Sequence, residues 1–399
     1  MGLPKPLGSY GVSFAEFELR RRSEKTRIGE SRGTARSGAV AETLPSAEGA
    51  VDASFLSHGV EEDVVDFGDL LYPFFYPFLQ TQASVKQPLL VPECSLIKEG
   101  RLPVVIFSHG MWACRTTYTA TCIDIASHGY IVVAVEHLDG SAVIAQYHDH
   151  QGKRRWVEHA FSDVDFNEVP MSDRSRQLRQ RVEEIQKTVE VLQALDQGLL
   201  SQKSNAIKGR TSLDVKFLQG RMNFDYLAIH GHSFGAATAI SVCCVDERFK
   251  CCIAEDVWWA PVEKADYERA ASNVPVLLLN TEHFNGKELQ NSRNKFLRAR
   301  AQLHGESATT ELLTMKGTSH EDQSDFPLLF AKALKRAGKA SKLDVRNAKD
   351  INSRACLDFY LRNLLPPGTG APYLVDVVKE DGEHLEVGKI PHSKLSTVV

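Results

Sequence analysis

No run of the 399 residues is long and apolar enough to cross a bilayer. A span needs roughly 18 or more nearly uninterrupted apolar residues. The most apolar stretch, Leu70 to Leu79 (LLYPFFYPFL), is short and broken by Pro73 and Pro77. Neither charge is in strong excess: Lys+Arg 47 against Asp+Glu 51 leaves −4. That balance gives no global footprint for nucleic acid. The eight cysteines, at 94, 114, 122, 243, 244, 251, 252 and 356, have neither CxxC nor Cys/His zinc spacing. Two adjacent pairs lie in apolar segments, which predicts buried, reduced thiols. The first residues, MGLPKPLGSYGVSF, lack a basic start followed by an apolar run, so no secretory signal is expected. Gly2 suits N-myristoylation, but Pro6 stands where that signal has Ser or Thr. Together these features predict a reducing, cytoplasmic setting. What is present, 43% apolar and 25% charged residues, suffices to bury a sizeable core.

The pattern along the chain reads as one α/β domain over residues 1–399 with surface additions. Tyr10 to Leu19 alternates like an edge strand, and Leu70 to Phe78 reads as a proline-punctuated strand near a sheet edge. Residues 20–50 are basic, small and aperiodic, as in a flexible insertion. From residue 101, short apolar strands alternate with helices. Val104–Phe107, Ile131–Val135, Leu227–Ile229, Cys251–Ala254, Val274–Leu279 and Leu312–Met315 are the strands. A helix from about Asp173 carries Leu178, Val182, Ile185, Val189 and Leu192, and another spans 352–364. Continuous apolar strands between helices predict a mostly parallel sheet covered on both faces. Residues 139–172 are polar and irregular, a surface insertion, and 366–399 form a C-terminal extension.

Gly231-His232-Ser233-Phe234-Gly235 is Gly-x-Ser-x-Gly, set between the Leu227–Ile229 strand and an Ala-rich helix. A nucleophile elbow needs that strand-to-helix turn, small residues where the backbone crowds, and a helix N-terminus facing the reaction. A serine hydroxyl also needs a base and a carboxylate, following in the order Ser, acid, His. His320 suits the base, in the loop after the Leu312–Met315 strand. His283 and His304 are rivals less well placed, and His230 and His232 flank the elbow and orient it. His109, His128 and His137 precede Ser233 and fit poorly as the base. For the acid, Asp256 and Glu282 each end a later strand, and spacing does not decide between them. Glu255 points to the other face. The oxyanion hole needs two backbone N–H groups. Phe234 supplies one, and the Ser108-His109-Gly110-Met111 loop the other, through Met111.

FSHGMWACRTTY at 107–118, IASHGYIVVAVEHLDGSA at 125–142, GHSFGAATA at 231–239, DERFKCCIAEDVWWAP at 246–261 and LLTMKGTSHEDQSDF at 312–326 resemble one family. That family is the platelet-activating factor acetylhydrolases, serine phospholipases of the lipoprotein-associated and intracellular type. The resemblance implies an α/β-hydrolase fold. It assigns the triad acid to the Asp of Asp256-Val257-Trp258, and so favours Asp256 over Glu282. Its serine, histidine and oxyanion positions fall on Ser233, His320, Met111 and Phe234. It further implies hydrolysis of a short or oxidised sn-2 acyl ester of a glycerophospholipid, without metal or organic cofactor. Trp112, Leu138 and Gly140 depart from the family's pattern, which bears on the acyl pocket and headgroup contacts. The alternatives are a broad short-chain esterase of the same fold and a non-catalytic hydrolase-like binding protein. The second would normally have lost Ser, Asp or His.

Downstream of His320, Phe326, Leu328, Leu329, Phe330 and Leu334 form an apolar face. Lys332, Lys335, Arg336, Lys339, Lys342, Arg346 and Lys349 follow. Leu329, Phe330, Lys332, Leu334, Lys335 and Arg336 are therefore the expected membrane-interface residues of a peripheral enzyme. The competing expectation is a helix packing its apolar side on the sheet. Nothing in the sequence sets an oligomeric state.

Overall fold

The computed structural model describes residues 101–148, 153–161, 164–165, 167–199, 218–271, 273–305, 309–365 and 377–389, with strand segments at 13–14, 16–20, 50–54, 84–85 and 207–208. In chain order the strands are β1 (Ser13–Phe14), β2 (Glu16–Arg20), β3 (Ala50–Ser54), β4 (Ser84–Val85), β5 (Leu102–Ser108), β6 (Ile131–Glu136), β7 (Ile144–His148), β8 (Arg154–Glu158), β9 (Ile207–Lys208), β10 (Met222–His232), β11 (Cys251–Glu255), β12 (Val276–Thr281), β13 (Thr310–Met315) and β14 (Leu385–Val387). The helices are α1 (Thr119–Ser127), α2 (Met171–Asp196), α3 (Phe234–Cys243), α4 (Lys264–Arg269), α5 (Lys287–His304), α6 (Phe326–Arg336), α7 (Val345–Asn363) and α8 (Val377–Glu380).

Ten strands pair in the order β14-β13-β12-β11-β10-β5-β6-β3-β2-β9. The block from β13 to β6 is parallel, and β3, β2, β9 and β14 join antiparallel. The apolar strands are continuous because both faces are covered. On β5, Val104 and Ile106 enter the core shared with Leu178, Ile185 and Val189 of α2 and Ile240 of α3. Val105 and Phe107 enter the opposite core, with Ile125 of α1 and Phe359 and Tyr360 of α7. The register pairs Gly231 with both Ser108 and Ala254. The C-terminal ends of β5, β10 and β11 therefore open side by side, where open α/β sheets place their sites.

Several expectations need correction. Helix α7 starts at Val345, not residue 352, because Asp344 caps it by accepting the Arg346 and Asn347 N–H groups. Lys349, expected on the surface, is buried: its ammonium donates to Thr121 Oγ1 at 2.9 Å and the Gln323 carbonyl at 2.8 Å. The 139–172 segment is not irregular throughout: β7 and β8 form an antiparallel hairpin within it, and Asp139 and Ser141 are buried. In the 366–399 extension, β14 completes one edge of the sheet. Gly2, the Leu70–Phe78 stretch and residues 21–49 of the basic insertion lie outside the described residues. Among the described residues seven cysteines are unpaired, and all but Cys114 are buried. No helix among them is long and apolar enough to cross a membrane.

Candidate active site

Ser233 sits between β10 and α3 at φ +58° and ψ −114°, a conformation a residue with a side chain rarely adopts. The surroundings hold it there. Its N–H donates to the Glu255 carbonyl at 2.9 Å, and its carbonyl accepts from Ala237 and Trp258, each at 3.1 Å. Both glycines of the motif are sterically required. A Cβ on Gly235 would overlap the Ser108 carbonyl, and one on Gly231 the Gly235 carbonyl. The elbow thus packs directly on the end of β5.

Asp256 follows β11 at φ +45° and is fully buried. Its Oδ1 accepts the Thr281 N–H at 2.7 Å, and Oδ2 accepts the Thr281 hydroxyl at 2.6 Å. Nδ1 of His320 lies 3.0 Å from Oδ2. Burial raises the Asp256 carboxyl above its ordinary range, and the bonds from His320 and Thr281 counter that shift. The His320 ring stacks on Phe284, with centroids 3.9 Å apart, and lies 4.3 Å from the His232 ring. These contacts leave one edge of the imidazole open to the cavity that Ser233 also lines. Among the described residues the Ser233 hydroxyl has no hydrogen-bond partner, an arrangement common before substrate binds.

Glu282, the rival acid, is not brought to His320. Its carboxylate accepts the Gly317 N–H at 2.5 Å, which holds it below the usual range. His283 and His304 also lie outside this cluster: the His283 N–H donates to the Thr318 carbonyl, and His304 ends α5. Glu255 turns away from Asp256, as strand alternation requires, to lie 3.1 Å from His230.

The second loop approaches from β5. Gly110 donates its N–H to the Tyr118 hydroxyl at 3.1 Å, and that hydroxyl meets Nδ1 of His232 at 2.8 Å. Met111 follows, and Phe234 opens α3, so its N–H has no acceptor within the helix. Trp112 stands at φ +56°, about half exposed, with its ring stacked on His159 at 3.4 Å. Gly110, Met111, Trp112, Ser233 and His320 line a cavity of about 1030 Å³ that Phe326, Leu334 and Lys335 close on one side.

Among the described residues two groups of side chains gather possible metal-ligand atoms within 4.8 Å: His232 with Asp256 and His320, and His230 with Glu255 and Cys356. In the second group the atoms are only partly engaged, and His230 Nε2 and Glu255 Oε2 are buried without a hydrogen bond. Cys356 Sγ lies 3.6 Å from Glu255, and Tyr360 meets His230 Nδ1 at 3.2 Å.

Sequence reasoning missed Thr281, Tyr118 and the buried polar group beneath the loop after β5: Asp139, Arg181, Glu184 and His137. His137 Nδ1 lies 2.7 Å from Glu184, and its Nε2 meets Ser108 Oγ at 2.8 Å. Burial pushes Glu184 up to about 8, with the Asp139 charge adding to it, and holds His137 well below its ordinary value. The one available signal was Arg181 on the same helical stripe as Leu178 and Ile185.

The ferulic acid esterase from Streptomyces cinnamoneus superposes with a TM-score of 0.63 over 98% of this chain and 99% of that one. At 19% identity this likeness establishes the α/β-hydrolase fold and nothing finer. The chain is 30% identical over 302 residues to a platelet-activating factor acetylhydrolase of Cavia porcellus, covering 74% of this chain and 63% of that protein. It is 32% identical over 271 residues to that of Bos taurus, covering 66% and 57%. It therefore spans less than two thirds of the length of these relatives. The family defined as platelet-activating factor acetylhydrolase, isoform II, matches residues 75–366. That span holds the elbow, Met111, Phe234 and the His320–Asp256 pair, and the chain belongs to this family.

Proposed function

We propose that the chain is a serine-dependent carboxylic ester hydrolase. Its substrate is the short or oxidatively truncated sn-2 acyl ester of a glycerophospholipid, and its products are a lysophospholipid and the free acid. The observation that carries this reading is the buried Asp256 bonded to His320, beside a strained Ser233 in one large cavity. In the first step Nε2 of His320 takes the Ser233 proton as Oγ attacks the ester carbonyl. The developing oxyanion accepts from the N–H groups of Met111 and Phe234. Asp256 fixes the imidazole tautomer, and His320 returns the proton to the leaving alkoxide. Water then repeats the sequence on the acyl-enzyme.

The substrate lies in a bilayer, so the enzyme must meet a surface. Helix α6 fits that task. It packs mainly on α7 and the 320–323 turn rather than on the sheet. Leu329, Phe330 and Leu334 stay half-exposed, and Lys332, Lys335 and Arg336 are exposed beside them. The helix also walls the cavity, which suits peripheral binding at its mouth. We place this work in the cytoplasm, in keeping with the buried free thiols.

The test compares acetyl- and long-acyl-phosphatidylcholines with nitrophenyl acetate, with and without a chelator. Fast hydrolysis of the acetyl lipid, unaffected by chelation, is expected. Turnover of nitrophenyl acetate alone would favour a broad esterase of the same fold, and no turnover of any ester would overturn the reading.

A further inference from the structure

Beneath the oxyanion loop lies an ion pair that the acyl-transfer scheme does not use. Arg181 on α2 and Asp139 after β6 are both buried, with Nε donating to Oδ2 at 2.9 Å. A buried guanidinium is costly unless its donors are met. Here they are met by Asp139, by Ser141 and by the loop. Nη1 donates to the His109 carbonyl at 2.6 Å, and Nη2 to the Ser141 hydroxyl at 2.5 Å. Ser141 in turn donates that hydroxyl to Asp139 Oδ1 at 2.5 Å, and its carbonyl accepts the Trp112 N–H at 2.9 Å. The loop is thus gripped at His109 and at Trp112, on either side of Gly110 and Met111.

The same guanidinium lies 4.4 Å from the centroid of the Phe234 ring. One side chain therefore braces the Met111 loop and also contacts the residue that supplies the other oxyanion donor. We infer that Arg181 is a positioning residue for the oxyanion hole, setting the spacing between the Met111 and Phe234 N–H groups. The inference rests on the acyl-transfer reading above. Arg181 touches neither Ser233, His320 nor Asp256 among its described contacts, so its loss leaves substrate binding in place and weakens the transition state.

The experiment measures kcat and KM on nitrophenyl acetate for wild type, Arg181→Gln, Arg181→Lys, Ser141→Ala and Arg300→Gln. Arg300 is the control: a buried arginine on α5 bonded to the Ala270 and Val274 carbonyls, away from the cavity. Arg181→Gln is expected to lose about 100-fold in kcat with KM within about twofold, the loss typical of one misplaced oxyanion donor. Organophosphorus labelling of Ser233 slows in parallel, because the phosphoryl oxygen occupies the same hole. Ser141→Ala loses about tenfold, and Arg181→Lys recovers part of the loss. Arg300→Gln lowers Tm while the folded fraction keeps its kcat. An unchanged kcat in folded Arg181→Gln, or an equal loss in Arg300→Gln, overturns the assignment. Should Arg181→Gln fail to fold, Ser141→Ala decides, and wild-type kcat there overturns it. A wild type inactive on every ester overturns the hydrolase reading instead, and the inference with it.

Discussion

The Tyr118 hydroxyl lies 2.8 Å from Nδ1 of His232, the residue before Ser233, and accepts the Gly110 N–H at 3.1 Å. One buried phenol therefore ties the loop after β5 to the elbow. It accepts from Gly110 and shares a second hydrogen bond with His232, whose Nδ1 accepts or donates according to the ring's tautomer. Burial raises the phenol pKa, so the proton stays in place at physiological pH. Tyr118→Phe leaves two buried polar groups without this partner. The expected cost is about 1–3 kcal/mol in urea unfolding, with a several-fold loss of kcat. Wild-type stability in that variant would show that the link contributes nothing.

Ser233→Ala, His320→Ala and Asp256→Asn are each expected to reduce kcat by at least about 10³-fold, without unfolding the protein. The double variant Ser233→Ala/His320→Ala should lose little more than either single one, since the groups act as a unit. Glu282→Gln is the comparison. Its carboxylate serves the Gly317 N–H, so its activity should stay within a few-fold of wild type. A reversal, with Asp256→Asn active and Glu282→Gln dead, would assign the acid to Glu282.

Sedimentation with anionic and neutral vesicles checks the role of α6. Leu329→Ser/Phe330→Ser should weaken binding to both kinds of vesicle. Lys332→Glu/Lys335→Glu/Arg336→Glu should weaken binding to anionic vesicles only, each lost basic contact being worth about 1 kcal/mol. Hydrolysis of soluble nitrophenyl acetate should survive in both variants. Wild-type sedimentation of both would place the membrane face elsewhere.

Stability should carry a pH signature from Glu184. Its folded-state pKa, about 8, exceeds its ordinary value near 4.5, so the native state binds the proton more tightly. That contribution is fully present below about pH 4.5 and is lost as pH rises towards 8. Asp325, raised to about 6, acts in the same direction at lower pH. The buried neutral His137 and His232 act oppositely, losing stability as pH falls below their ordinary value. Comparison with Glu184→Gln isolates the first effect. Between pH 6 and 8 the wild type should lose up to about 2 kcal/mol relative to that variant in denaturant titrations.

What the sequence made legible was local and apolar. Runs such as Val104–Phe107 and Cys251–Ala254 announce buried parallel strands, and Gly231 to Gly235 announces the elbow with its steric reason. The acid was not legible from spacing. Asp256 and Glu282 both end strands; the family resemblance favoured Asp256, and the structure bonds Asp256, not Glu282, to His320. Charged residues inside were hardest to foresee. Arg181, Glu184 and Lys349 lie on amphipathic helices, where charge ordinarily signals solvent. Their partners, Asp139, His137 and Gln323, come from distant segments that no periodicity connects.

The two sides of the cavity stand on unequal mutational footing. At the floor, Gly231, Gly235 and the end of β5 are so closely seated that even a methyl group displaces backbone. Opposite, α6 departs from helical geometry at Phe330 and buries only Pro327 fully. Substitutions there meet water and flexible side chains rather than main chain. Changes to the shape of the cavity mouth can therefore accumulate on α6 one residue at a time, while the elbow at Ser233 passes through them intact.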